Sequence, residues 1–297
     1  NHEGTITTYY GSEALVQAHK AAVHGDVITL SGGGFTAPSS WTKAVTLRGA
    51  GCYEGADNNR EVTSIGNEFK LAIPTDIETT MTIEGISFKS NFAFSTKTIN
   101  TTLLKCYFET ITGACRNTNF YNCIIKECLE FSASADYLAN INLINCYVED
   151  FINNSPYVSI KLTNCFVRIT TSTRRGSSSG TLSFKFASLQ YATYKNCIIL
   201  GNKKLSNNES FTDYDIHTTC TATNCLSCFC AYKNATETED AIYDYNIFDE
   251  MGNNTNKYLE EGKPINETIT SVFKTYNGTD GFSFNELYEL TDEAKTK

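Results

Sequence analysis

A dipeptide ending in cysteine returns along this chain, and the residues around it return with it. Lys105-Cys106, Asn122-Cys123, Asn145-Cys146, Asn164-Cys165, Asn196-Cys197 and Asn224-Cys225 follow one another at intervals of 17 to 32 residues, and Gly85-Ile86 fills the same slot one copy earlier. Five residues before the Cys slot stand Met81, Thr101, Thr118, Ile141, Ile160, Ala192 and Cys220. Three before it stand Ile83, Leu103, Phe120, Leu143, Leu162, Tyr194 and Ala222, and two after it Phe88, Phe108, Ile125, Val148, Val167, Ile199 and Ser227. Polar residues such as Thr82, Thr102, Asn119, Asn142, Lys161 and Thr221 fall between them. Self-similarity at this period is the mark of a repeat architecture.

Alternation of period two is the pattern of a half-buried strand. At the pivot the parity slips, because two inward positions stand three apart. A strand that ran straight on would turn its apolar set outward, so the chain must bend there. Asn, after Gly, is the residue that most readily takes the left-handed conformation such a corner needs, and Gly85 occupies the same slot. Lys105 departs from the rule and must either turn left-handed at some cost or turn differently.

Strand, left-handed corner, strand and return loop describe one coil of a solenoid. The fold expected is all-β: a single-stranded right-handed parallel β-helix with a short N-terminal capping helix. In such a stack, like residues form ladders about 4.8 Å apart. Asn122, Asn145, Asn164, Asn196 and Asn224 can then bond amide to amide. Cys106, Cys123, Cys146, Cys165, Cys197 and Cys225 become a column of small buried side chains, a better reading than disulfides, since parallel side-chain vectors rarely bridge. Outward, three residues past the Cys, Glu109, Lys126, Glu149 and Arg168 alternate in sign, which reads as a solvated charge ladder.

The N-terminal stretch Ser12 to Val23 reads as the helix, with Ser12 as N-cap and Leu15, Val16, Ala18, Ala22 and Val23 on its apolar side. Gly25-Asp26-Val27-Ile28-Thr29-Leu30 follows, and then Thr46-Leu47-Arg48-Gly49-Ala50-Gly51. With the Asn-Cys repeats, these segments resemble the pectin lyase-like superfamily of secreted bacterial β-helix proteins. The resemblance covers roughly residues 4 to 250 and implies the fold, an end-plugging helix and a secreted or cell-surface setting. It implies no single activity, since such proteins include lyases, hydrolases and non-catalytic surface proteins.

The whole chain, residues 1–297, is expected to form one β-helix domain, with coils over 27–250 and a last coil and cap over 251–297. A C-terminal piece beyond Lys297 is consistent with the abrupt stop. The absence of an initial Met and of a basic-then-apolar leader suggests a mature exported chain. Asn100, Asn208, Asn234 and Asn266 begin Asn-x-Ser/Thr triplets, which this Asn- and Thr-rich composition readily produces by chance. A net charge of −9 argues against a nucleic-acid partner, and no apolar run is long enough to span a bilayer.

Polygalacturonase-like hydrolases and pectate lyases carry signatures that are missing here, so catalysis stays open, leaning to none. The two longest intervals follow Cys165 and Cys197, in consecutive coils, and long loops on a rigid scaffold concentrate function. They hold Arg174, Arg175, Lys203, Lys204, Asp213, Tyr214, Asp215 and His217. The four cations suit an anionic polysaccharide. Asp213 and Asp215 suit a carboxylate pair or Ca²⁺, the one cofactor considered, and ordinary solvated loop residues are the plainer reading. Cys220, Cys225, Cys228 and Cys230 invite a zinc reading, but the first two fall on interior ladder positions whereas four ligands must converge. Core packing with one disulfide near Cys228 or Cys230 is the better reading. Trp41, Tyr107, Tyr147 and Phe166 are candidates to stack on sugars, and equally read as strand-favouring surface aromatics or as rings beneath a loop. The favoured reading is a polysaccharide-binding β-helix. The alternatives are a lyase or glycosidase on an acidic glycan, and a structural or adhesive surface module.

Overall fold

A computed structural model of the chain describes residues 1–53, 61–74, 76–94, 100–113, 116–129, 138–149, 157–168, 172–176, 182–186, 192–200, 221–223 and 225–228, together with short strands between 231 and 264 and Asp292. The two halves of each repeat fall into two sheets. Val27–Thr29, Thr46–Arg48, Met81–Glu84, Asn100–Leu104, Asn117–Tyr121, Ala139–Ile144, Val158–Thr163, Ala192–Lys195 and Thr221–Thr223 stack in that order in the first. The second runs from Gly33–Phe35 through Ser87–Phe94, Tyr107–Thr112 and the later post-corner strands to Cys225–Cys228. Pairing within the stack is parallel and joins like repeat positions, as in Thr118↔Ile141↔Ile160↔Ala192. The fold is a parallel β-solenoid. One exception closes the second sheet: Tyr245–Phe248 lies antiparallel to Cys225–Cys228.

The corner conformation is where the pivot places it. Lys105, Asn122, Asn145, Asn164 and Asn196 have φ between 51° and 54°, and Gly85 has φ 68°. Lys105 therefore takes the left-handed turn rather than avoiding it. One coil earlier Gly49 packs so tightly that a Cβ there would meet the Gly85 carbonyl at 2.4 Å. Corner amides also tie the coils together: Asn122 N–H donates to Ile144 O at 3.0 Å and Asn145 N–H to Thr163 O at 3.0 Å.

Inward positions are closed off: Met81, Ile83, Leu103, Phe120, Ile141, Leu143, Ile160, Leu162, Ala192 and Tyr194 are buried, as are Phe88, Phe108, Ile125, Val148, Val167 and Ile199. Near the N-terminal end the core is aromatic. Phe88 stacks on Phe108 at 5.2 Å and 5°, and Phe69 on Phe92 at 5.2 Å and 9°. Trp41, fully buried, meets Phe69 at 5.0 Å. It belongs to this core and offers no face to a sugar, correcting the reading of Trp41 as a platform.

The helix is shorter than its sequence pattern suggested, Ala14–Ala21, with Glu13 rather than Ser12 at the N-cap and no side-chain cap. Leu15 supplies its buried anchor. No helix among the described residues is long and apolar enough to cross a membrane.

Candidate functional site

Because each corner sits over the one before, the corner residues form a column along the solenoid. Asn196 donates from Nδ2 to Asn164 Oδ1 at 3.1 Å, and Asn164 from Nδ2 to Asn145 Oδ1 at 3.2 Å. Among the described residues this amide run stops at Asn145. Asn122, Asn145, Asn164 and Asn196 remain exposed. Each Asn amide has two donor hydrogens and two acceptor lone pairs, so one bond to a neighbour leaves capacity for a ligand. Asn224 lies outside the described residues.

Beside this column runs a groove of about 1000 Å³, lined at its N-terminal end by Arg48, Cys52, Tyr53, Glu84 and Lys105 and further on by the corner asparagines. Tyr53 is 40% exposed and meets the Tyr107 ring edge to face at 5.9 Å. Glu84 is the one carboxylate among the described lining residues, and Arg48 holds it at 3.5 Å. Burial, and then the neighbouring Cys106, push the Cys52 thiol up to about 12, so Cys52 lines the groove as a neutral thiol.

A second apolar column follows the corner, and its Ile124, Tyr147, Phe166 and Ile198 also line the groove. Tyr107, Ile124, Tyr147, Phe166 and Ile198 stand in register on successive strands. Ile124, Tyr147 and Phe166 are at most 5% exposed although they stand apart from the core cluster. Tyr147 and Phe166 stack on each other at 5.8 Å and 10°. At 5% and 2% exposure neither ring has an open face, which corrects their reading as sugar platforms. Tyr53, in the loop after Gly51, offers the exposed ring instead. The sequence held no periodic signal for it, because it lies outside the repeat.

The charge ladder is partly as its signs suggest. Glu149 pairs with Lys126 at 2.5 Å and with Arg168 at 3.5 Å. Glu149, at 8% exposure, is buried rather than solvated, since cations press on it from both neighbouring coils. Glu109 instead accepts the Tyr107 hydroxyl at 2.6 Å. Burial, and then the Glu149 charge, push the Tyr147 hydroxyl up to about 12.

Inside the corner the thiols face the backbone. Sγ of Cys106, Cys123, Cys146, Cys165 and Cys197 lies 3.3–3.4 Å from the carbonyl two residues earlier. The carbonyl of the coil below stands 3.4–3.7 Å away. Burial, and then contact with Cys106 and Cys146, raise the Cys123 thiol well above its ordinary range. All seven cysteines with described side chains, Cys52 and the six of the column through Cys225, are free.

Of the loop residues singled out in the sequence, Arg174 and Arg175 lie on Ser172–Gly176, which pairs antiparallel with Leu182–Phe186. The first long interval thus contains an antiparallel strand pair that is separate from the two stacked sheets. Lys203, Lys204, Asp213, Tyr214, Asp215 and His217 lie outside the described residues, so the two sets are not placed against each other. Cys220 and Cys230 are outside them too, while Cys225 is buried in the column. Among the described residues no group of His, Cys, Asp or Glu is arranged to hold a metal.

Asn100, Asn117 and Asn140, six residues before the Cys slot, form a ladder that the sequence reading missed. Asn117 Nδ2 donates to Asn100 Oδ1 at 2.8 Å, and Asn140 Nδ2 to Asn117 Oδ1 at 3.2 Å. Its signal was present, one position outside the apolar pattern.

No family model matches the chain, and no curated protein sequence matches it. Among solved structures, ORF18 of Geobacillus virus E2 is similar over 72% of this chain, at 13% identity and a TM-score of 0.35. The match covers 50% of that structure, so this chain spans about half its length. A likeness at that TM-score carries no argument for fold or function.

Proposed function

We propose that this protein is a secreted or cell-surface β-helix of the pectin lyase-like kind that binds a polysaccharide strand along its corner groove without turning it over. The observation that carries the reading is the column of exposed amides, Asn122, Asn145, Asn164 and Asn196, along a groove of about 1000 Å³. Amides donate and accept at once, as sugar hydroxyls do. The column repeats at the strand spacing of about 4.8 Å, close to the rise of one pyranose along an extended glycan. Tyr53 supplies a ring at the N-terminal end, where an aromatic face suits an apolar sugar face. Arg48 is matched there by Glu84, and Lys105 leaves one positive charge over, so acidic glycans are the first class to test.

Asn122→Gly combined with Asn145→Gly separates ligand binding from folding. Glycine keeps the left-handed corner and removes both amides. The far-ultraviolet dichroism should be unchanged while retention on a glycan array or in affinity electrophoresis is lost. Retention equal to wild type would rule the groove out. A parallel Arg174→Ala, Lys203→Ala variant tests the loop residues Arg174, Arg175, Lys203, Lys204, Asp213, Tyr214, Asp215 and His217 as an additional contact. Unsaturated products or new reducing ends from polyuronates would instead establish the enzymatic alternative.

A further inference from the structure

The N-terminal helix is fastened to the first coil through histidines acting as hydrogen-bond acceptors. His19, 8% exposed on the inner side of the helix, accepts the Thr42 N–H on Nε2 at 3.0 Å. His24, just past the helix, accepts the Ala44 N–H on Nδ1 at 3.0 Å. Both amides belong to the segment that leaves Trp41, and the His19 ring lies 4.5 Å from the Trp41 ring. An imidazole nitrogen can accept only while it lacks a proton. Once protonated, it confronts a backbone N–H with another N–H, leaving a buried donor without a partner.

The surrounding charges do not compensate. Lys43 stands in the chain between Thr42 and Ala44, whose amides donate, and is the charge that acts on His19. Lys20 is next to His19 in the helix, and Lys70 lies behind Trp41, whose N–H its carbonyl accepts. The nearest acid past His24 is Asp26, whose carboxylate already takes His2 at 2.8 Å and the Val23 N–H at 2.9 Å. Glu13 is at the far end of the helix.

We propose that His19 is an acid-sensitive latch, with His24 fastening the adjoining Ala44 amide, so that mild acid releases the N-terminal helix from the end of the solenoid while the coils stay folded. Burial, and then Lys43, hold the His19 pKa below its ordinary value of 6.5. A histidine lowered in the latched state binds protons more weakly than one released into solvent. The latch therefore contributes fully above about pH 6.5 and weakens as pH falls toward the lowered value. Release gains up to roughly tenfold per pH unit in that window from the proton that His19 takes up. Local opening of one element is expected where a single large apolar side chain, Leu15, the small Ala14, Ala18 and Ala22, and a few polar bonds hold it.

The chain has a single tryptophan, Trp41, and it lies against His19, so its fluorescence reads the latch directly. On titrating the full chain from pH 7.5 to 4.5, Trp41 emission should fall and shift to the red, with a midpoint below 6.5. The far-ultraviolet β signal should stay constant. His19→Gln with His24→Asn places untitratable acceptor oxygens near the same positions and should remove the transition. Should that variant fold poorly, amide exchange on wild type decides: Thr42 and Ala44 must lose protection in acid faster than Leu103 and Leu143. Unchanged Trp41 emission, the same transition in the double variant, or protection at Thr42 and Ala44 that survives at pH 4.5 would each overturn the latch.

Discussion

Asn164 bonds both of its neighbours in the corner column at once: Nδ2 donates to Asn145 Oδ1 at 3.2 Å while Oδ1 accepts from Asn196 Nδ2 at 3.1 Å. The same residue holds φ 52°, so its side chain and its backbone serve one corner together. These two contributions separate by substitution. Asn164→Gly keeps the left-handed turn and loses the amide bonds, at about 0.5–1.5 kcal/mol each, less where solvent replaces them. Asn164→Ala loses the bonds and must also carry a Cβ in the left-handed region, roughly 1–2 kcal/mol more. Urea unfolding should therefore rank Ala below Gly and Gly below wild type. Equal midpoints for Ala and Gly would mean that the turn tolerates any residue and that asparagine is there for another reason.

The thiol column gives a labelling prediction. Cys106, Cys123, Cys146, Cys165, Cys197 and Cys225 are at most 3% exposed, so an alkylating reagent cannot reach their sulfurs while the corners stay closed. Under native conditions at pH 8, site-resolved mass spectrometry after alkylation should find these six unmodified, and all six modified once urea unfolds the chain. Cys52 is only half-buried, but with its thiol pushed up to about 12 it should react far more slowly than a small free thiol. Rapid native labelling of Cys146 or Cys165 would show that the corner opens.

Two acidic residues of one outward row should differ sharply. Glu149, buried between Lys126 and Arg168, leaves two cations facing each other when it is removed. Glu109 gives up only its Tyr107 hydrogen bond on the exposed side. Breaking a buried pair by deleting one partner can cost about 3–5 kcal/mol, but Lys126 keeps considerable solvent access, so about 1–2 kcal/mol is expected for Glu149→Ala. Glu109→Ala should cost under about 1 kcal/mol. Thermal unfolding of the two variants checks the order, and a loss for Glu109→Ala as large as that for Glu149→Ala would contradict it.

Legibility in the sequence followed the repeat. Positions such as Leu103, Phe120, Leu143 and Leu162 could be placed inside because each recurs at the same offset from a parity slip, and the slip forces a corner. Signs could be read along the outward row, but burial could not. Glu149 is enclosed by what stacks above and below it, which no single coil contains. The same limit applied to Tyr147 and Phe166: alternation marked them as outward, and only stacking made that outward stripe a closed one. Tyr53 and the hairpin formed by Ser172–Gly176 and Leu182–Phe186 lie in insertions, where no periodic constraint reaches. Trp41 was misjudged for a related reason, since it precedes the first clear repeat and takes its place in the core through Phe69 and His19.

Lys105 is the one non-glycine corner without an asparagine among Gly85, Lys105, Asn122, Asn145, Asn164 and Asn196, yet its φ of 51° matches theirs. A lysine side chain cannot bond its own backbone locally as asparagine does, so it bears the left-handed cost without that relief. Lys105→Asn should therefore stabilise the fold, by about 0.5–1 kcal/mol, and would set a carboxamide directly below Asn122. If the groove binds acidic glycans through this cation, the same substitution should weaken that binding while raising the melting temperature. Opposite changes in stability and affinity would mark Lys105 as retained for the ligand at the expense of the corner. A melting temperature that falls on Lys105→Asn would mean that the lysine stem packs along the groove wall and stabilises the corner by a contact that its backbone angle does not reveal.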